Sequence, residues 1–318
     1  MVYVRTTGRA LVNIHSANAE GAVGNYMALS KMFIVRRMEG GYDVSEEPVI
    51  SGNMIKHWHA VATTELLKSW GYDKKICDNC KRHVMYRSIL NKNKEFEYIE
   101  ACAIEDLHGF LDTQTNVRRE SIVKFSFMIP VEEQRSEYSS ITHNRVFVDE
   151  EGKIPKEEQA MMVMKREHAS GIYGFLCSMD LALAGVSLAN PNEKLPPDER
   201  KIRTKAAIAA LADMLSSHFG AAQARALPII KMIEFIGVAS KKPIPNIVHG
   251  FFMDYAEETA SIIKTSIEQG LVKNDEIIVV TVGEKPKAIL KGANIVIHDV
   301  KTVSEAIAKL MEASDKWL

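Results

Sequence analysis

Two adjacent arginines, Arg118 and Arg119, open an alternating apolar run within "EDLHGFLDTQTNVRRESIVKFSFMIP" (105–130). Neighbouring residues entering a strand point to opposite sides. One guanidinium can therefore face a phosphate while the other pairs with a carboxylate such as Asp106; a solvated pair is the alternative. Gln223 and Arg225, in "AAQARALP" just past a helix end, offer a second place for phosphate contacts. His57 and His59, two apart on a helix, point to different faces, which is poor geometry for a shared metal; His59, on the face of Lys56, can instead donate to a phosphate. In "CDNCKRH", Cys77 and Cys80 have the spacing of two thiolates that reach one tetrahedral Zn²⁺, with His83, Cys102 or His108 to complete the set. Ordinary loop thiols are the alternative, so no metal or cofactor is assigned. Phe125 and Phe127 share a strand face, where aromatics can stack bases, although such residues are more often core. Asp106 with His108, or Glu105 with Asp106, can be drawn as an acid/base set, yet no nucleophile, Walker sequence or GxGxxG accompanies them, and no catalytic residue is assigned.

The bulk numbers narrow the partners. The chain has 318 residues, 46% hydrophobic and 25% charged, with a formal net charge of −1. A global cationic field is excluded, so any nucleic acid must be held by a local patch. Residues 1–94 carry 14 Lys/Arg against 8 Asp/Glu, which makes the N-terminal part the anion-facing half. No apolar run reaches the ~18 residues of a membrane span, and the start lacks an apolar signal core; a cytoplasmic protein without membrane partners is expected. Four cysteines make no disulfide framework.

The elements that must position these groups are legible as patterns. Residues 2–14 read as a strand, 15–25 as a loop with Gly21 and Gly24, and 31–50 as a hairpin turning at Gly40-Gly41. Residues 51–70 read as a helix capped by Ser51, with Met54, Trp58, Val61/Ala62, Leu66 and Trp70 on its buried stripe and Lys56, His59 and Thr63 opposite. Residues 71–104 are Lys- and Asn-rich with weak periodicity, an insertion rather than core. Val123, Phe125, Phe127 and Ile129 are expected on one buried strand face. Residues 131–170 read as a projecting arm, 171–188 as strand-rich, and 196–220 as a helix capped by Asp198 with Ile208, Leu211/Ala212, Leu215 and Phe219 inside. A helix near 252–270, strands at 276–283 and 293–298, and a helix at 302–315 follow. Interleaved strands and helices point to an α+β or α/β domain on a small sheet.

Five segments, in order, carry a resemblance: "LVNIHSANAEGAVGN", "EPVISGNMIKH", "DLHGFL…NVRRESIVKFSFMIP", "IYGFLCSMDLAL" and "ARALPIIKMIEFIGVA". Together they resemble the DevR-type CRISPR-associated autoregulator family, over roughly residues 3–250. That family supplies the repeated backbone subunit of type I Cascade, and the archaeal I-A branch is the most similar. The C-terminal 65 residues resemble nothing in it.

The resemblance implies one elaborated α+β domain over 1–318, a modified RRM-like (ferredoxin-like) sheet with an inserted lid subdomain at 71–117 and a thumb-like hairpin insertion at 131–170. It implies a non-enzymatic subunit that stacks head to tail into a helical filament along CRISPR RNA, beside other Cascade subunits. The guide's backbone is gripped and its bases are left to pair with target DNA. Carried over by position, Asn18 and Asn25 in the first loop, Ser51, Asn53, Lys56 and His59 at the first helix, Arg118 and Arg119, and Gln223 and Arg225 become RNA contacts. Two alternatives stay open. Type III relatives that cleave RNA with a metal carry an aspartate in the first loop; this chain has Glu20 there and no aspartate. A DNA-binding regulator, as the family name suggests, lacks a helix-turn-helix cue here.

Overall fold

The computed structural model describes residues 2–16, 19–85, 90–146, 161–217 and 226–317, with the side chains of 19–23, 143–146, 161, 162 and 217 left aside. Its organising element is β1 (Tyr3–His15), which is hydrogen-bonded antiparallel on both sides, to β11 (Met161–Met179) and β12 (Ile229–Ser240). Alternation along β1 sends Val4, Ala10 and Val12 to one face, where they join a large apolar cluster.

The segment expected as a loop after β1 contains β2 (Ala19–Val23), which pairs antiparallel with β3 (Tyr26–Leu29). The predicted hairpin is present as a two-stranded ribbon, β4 (Lys31–Met38) against β5 (Gly41–Pro48), with Gly40 at φ +84° in its turn. Next comes α1 (Gly52–Ser69), then short helices α2 (Asp78–Lys81), α3 (Glu95–Ala101) and α4 (Ala103–His108) in the inserted region. A two-residue ladder joins β6 (Phe110–Leu111) to β7 (Arg118–Arg119). β8 (Val123–Phe125) and β9 (Ile129–Pro130) both pair with β11. β10 (Glu137–Val146) runs antiparallel to the first half of β11. Then follow α5 (Pro197–Ser217), α6 (Tyr255–Glu268), β13 (Ile277–Val282), α7 (Glu284–Gly292), β14 (His298–Asp299) and α8 (Val303–Trp317). Asp198 lies inside the first turn of α5 rather than before it.

The sheet runs β14-β13-β12-β1-β11-β3-β2, with β8, β9 and β10 also on β11. On one face lie α1, α5 and α8, through Met54 and Ile55, Ile208 and Leu211, and Ile307 and Leu310. On the other, α6 and α7 cover Ile236, Val238 and Val279. That second face is also crossed by the chain at 244–252. Arg5 and Thr7 of β1 bond the carbonyls of Ile244 and Val248, and Arg9 bonds those of Gly250 and Phe252. The crossing chain lies so close that a Cβ on Gly250 would stand 2.0 Å from the Gly8 carbonyl oxygen.

Two expectations about faces are corrected. α1 buries Met54, Ile55, His59, Ala62, Thr63 and Leu67, while Trp58 and Leu66 are half-buried and Trp70 is exposed. The helix touches two cores: Met54 and Ile55 reach the sheet cluster, Ala60 and Leu67 a satellite cluster with the inserted region. A single stripe does not describe a helix packed on two sides. The run 123–130 is not one strand. Phe125 lies opposite Cys177 and Ile129 opposite Gly174, four steps against three. One extra residue flips the following side chains to the other face, so Met128 is buried and Phe127 is 43% exposed. Among the described residues no helix is long and apolar enough to cross a membrane.

Candidate nucleic-acid interface

The first helix begins under tight constraint. Ile50 bridges Met128, and a Cβ on Gly52 would lie 2.5 Å from the Phe125 carbonyl oxygen, so only glycine lets α1 start against this strand. Ser51 is the N-cap; its side chain accepts from the Met54 N–H at 3.2 Å. No acidic residue occupies the first turn, Asn53 is exposed and Lys56 is half-buried. The first N–H groups of a helix lack intrahelical partners, and the dipole makes this end positive. The arrangement suits an anion.

Beside it stand Phe127 and His249. The Phe251 N–H donates to His249 Nδ1 at 3.0 Å, so Nε2 carries the proton, which it donates to the Phe127 carbonyl at 3.0 Å. Burial lowers the His249 pKa from its ordinary value and keeps the ring neutral.

A second polar surface lies at the base of the β10–β11 hairpin. Asn25 is exposed and its carbonyl accepts from the Lys165 N–H at 2.8 Å. Lys31 sits 3.8 Å from the centroid of the exposed Tyr138 ring and pairs with Glu167 at 3.1 Å; Tyr26 also donates to Glu167. The sequence pattern does not single out Lys31, Lys165, Tyr26 or Tyr138. Residue 165 of β11 marks this surface and residue 175 lies near the start of α1. Ten strand residues at ~3.3 Å each place the two about 33 Å apart.

The double arginine splits as alternation demands: Arg118 is exposed and Arg119 is 4% exposed. All five Arg119 N–H donors are used inside the protein, on Glu95 (2.6 Å), Asp106 (2.8 Å to the carboxylate, 2.7 Å to the carbonyl) and the carbonyls of Leu183 and Val186. Asp106 is shared with the fully buried Arg203 at 2.9 Å and with the Gly185 N–H. Arg119 is therefore corrected from RNA contact to core ion pair. Arg118, on the β6–β7 ladder, lines a cleft with Glu95, Leu111 and Leu188 whose lining includes no residue of α1.

His59 is corrected likewise. It is fully buried, accepts from His108 Nε2 at 2.8 Å, and donates to the Ala207 carbonyl at 2.8 Å. Burial lowers its pKa to about 4. Asp106 and His108, one of the acid/base pairs that the sequence allows, are thus engaged in the interior. Asn18, Gln223 and Arg225 lie outside the described residues, as does the Glu20 side chain.

The buried histidine makes stability depend on pH. The unfolded chain takes up this proton near pH 6.5 and the folded chain near pH 4, so acidification favours unfolding across that window. A stability loss of roughly 2–3 kcal/mol between pH 7 and pH 4 is expected from His59. Urea titrations of wild type and His59→Gln check it. The variant's pH slope is shallower, and equal slopes would remove His59 from the account.

The chain has the fold found in a solved structure described as "CRISPR RNA-guided surveillance complex, pre-nicking", with a TM-score of 0.53 at 12% identity over 98% of this chain and 100% of that one. Residues 6–260 match the family described as "CRISPR-associated negative auto-regulator DevR/Csa2". The "CRISPR-associated protein Cas7/Cst2/DevR" of Methanocaldococcus jannaschii is 35% identical, covering 98% of this chain and 99% of that protein. The protein of the same description from Thermoproteus tenax is 38% identical, with 82% of each covered. The chain belongs to the DevR/Csa2 family.

Proposed function

We propose that this protein is a non-enzymatic, cytoplasmic subunit that holds single-stranded CRISPR RNA by its phosphate backbone within a Cascade-type complex. The observation that carries the backbone-gripping reading is the first turn of α1, which is free of acidic residues and flanked by Asn53 and Lys56. Ser51, Asn53, Lys56 and Asn25 are the described contacts in this reading, with Arg118 on a separate cleft; Asn18, Gln223 and Arg225 stay in it on the sequence alone.

The order β12-β1-β11-β8, with α1 between β1 and β8 and α5 between β11 and β12, supports a ferredoxin-like, RRM-like core. In an RNA-recognition sheet one open face stacks bases. Here the chain at 244–252 covers that face, which favours a grip on backbone and leaves bases to pair with target DNA. The β10–β11 hairpin acts as the thumb and residues 71–117 as the lid, in one elaborated domain. Copies associate head to tail along the RNA as a helical filament beside other subunits; such a contact does not close on itself. The exposed apolar side chains of the β4–β5 ribbon, Phe33, Val35, Tyr42 and Val44, suit a neighbour's surface.

Fluorescence anisotropy with single-stranded RNAs of unrelated sequence, from 50 to 500 mM salt, tests the reading. Affinity falls linearly in log–log form and alike for every sequence, and Lys56→Ala lowers the salt slope by about one. Affinity that stays level with salt, or that follows one sequence only, overturns it.

A further inference from the structure

The sulfur atoms of Cys77, Cys80 and Cys102 all lie within 4.8 Å of one another. They come from two parts of the inserted region. Cys77 caps the N-terminus of α2, and Cys80 lies one turn inside it. Cys102 is the single extended residue between α3 and α4. Cys80 and Cys102 are fully buried, and Cys77 is half-buried at the edge.

We propose that Cys77, Cys80 and Cys102 form a site for one Zn²⁺ that fastens the α2 turn to the α3–α4 hinge. Three soft sulfur donors converging on one point select a thiophilic cation, and Zn²⁺ takes tetrahedral sulfur sets. Each thiol releases its proton to solvent as its Zn–S bond forms, and no electrons are transferred. His83 and His108 do not complete the set: His83 bonds Glu65 at 2.7 Å, and His108 bonds His59 at 2.8 Å. The three thiols leave the fourth tetrahedral position to a ligand outside the set.

The site's place in the fold gives it a structural role. Cys80 and Cys102 belong to the satellite cluster with Ala60 and Leu67 of α1, Ala206 of α5, and Ile76, Ala103 and Ile104. Among the described residues the helices of the inserted region are short, so a metal joining α2 to the α3–α4 hinge stiffens it against α1 and α5. This inference is independent of RNA binding, and its test uses no RNA.

The full chain, purified without chelator, is analysed by elemental mass spectrometry; about one zinc per chain is expected. The apoprotein reconstituted with Co²⁺ shows sulfur-to-cobalt charge transfer and the strong visible bands of a tetrahedral site. Cys77→Ser and Cys102→Ser lose both signals, whereas Cys177→Ser, a buried thiol on β11, keeps them. Circular dichroism of Cys77→Ser, the least buried of the three, verifies that the fold survives. Zinc far below one per chain with no cobalt spectrum in the wild type overturns the proposal. So does a Cys77→Ser, Cys80→Ser double variant that holds metal as the wild type does.

Discussion

Arg119→Ala unfolds in markedly less denaturant than wild type, while Arg118→Ala, one residue away, unfolds with it. Arg119 has no exposed side-chain surface and lies between Glu95 and Asp106, themselves buried. Removing its guanidinium leaves Glu95 with Ser187 and the Ala189 N–H, and Asp106 with Arg203. It also strands the Val186 carbonyl, while that of Leu183 keeps the Val186 N–H. Breaking a buried pair at one partner costs about 3–5 kcal/mol, because the remaining charge stays out of water. Arg118 is exposed, and its removal costs within about 0.5 kcal/mol. Denaturant melts of both variants, read beside RNA affinity, separate a structural arginine from a surface one. Equal stabilities would contradict the buried ion-pair hub.

Gly250→Ala lowers stability by about 3 kcal/mol, at the upper end of overpacking effects. The new methyl would meet backbone on both sides, at 2.0 Å from the Gly8 oxygen and 3.3 Å from the Gly174 Cα. Neither is a flexible side chain, so the crossing segment must lift. Lifting it breaks the 2.8 Å bond from Arg9 Nε to the Gly250 carbonyl and uncovers the second face of the sheet. Faster hydrogen exchange along β1 and β11 accompanies the loss, and a variant with wild-type melting and exchange would mean that the segment does not lie against the sheet.

What the sequence made legible is what local rules control. The β4–β5 hairpin turning at Gly40, the Ser51 cap and the long central strand follow from turn chemistry, capping and alternation. Alternation also anticipated the split of Arg118 from Arg119 and the pairing with Asp106, thirteen residues away. Glu95 and Arg203, the other members of that hub, lie 24 and 84 positions from Arg119, and only the tertiary fold joins them. The face of α1 is not legible because two cores compete for it, which draws His59 inside. The exposure of Phe127 is not legible because one extra residue between β8 and β9 leaves no mark in an alternating string. The family resemblance was legible because it rests on ordered segments rather than on side-chain geometry.

The most direct measurement is the sequence of the nucleic acid that copurifies with the protein from its native cells. A backbone-holding guide subunit brings down a discrete set of CRISPR RNAs, uniform in their repeat-derived ends and diverse in their spacers. Transcripts recovered in proportion to their cellular abundance, or duplex DNA from one operator, would contradict it.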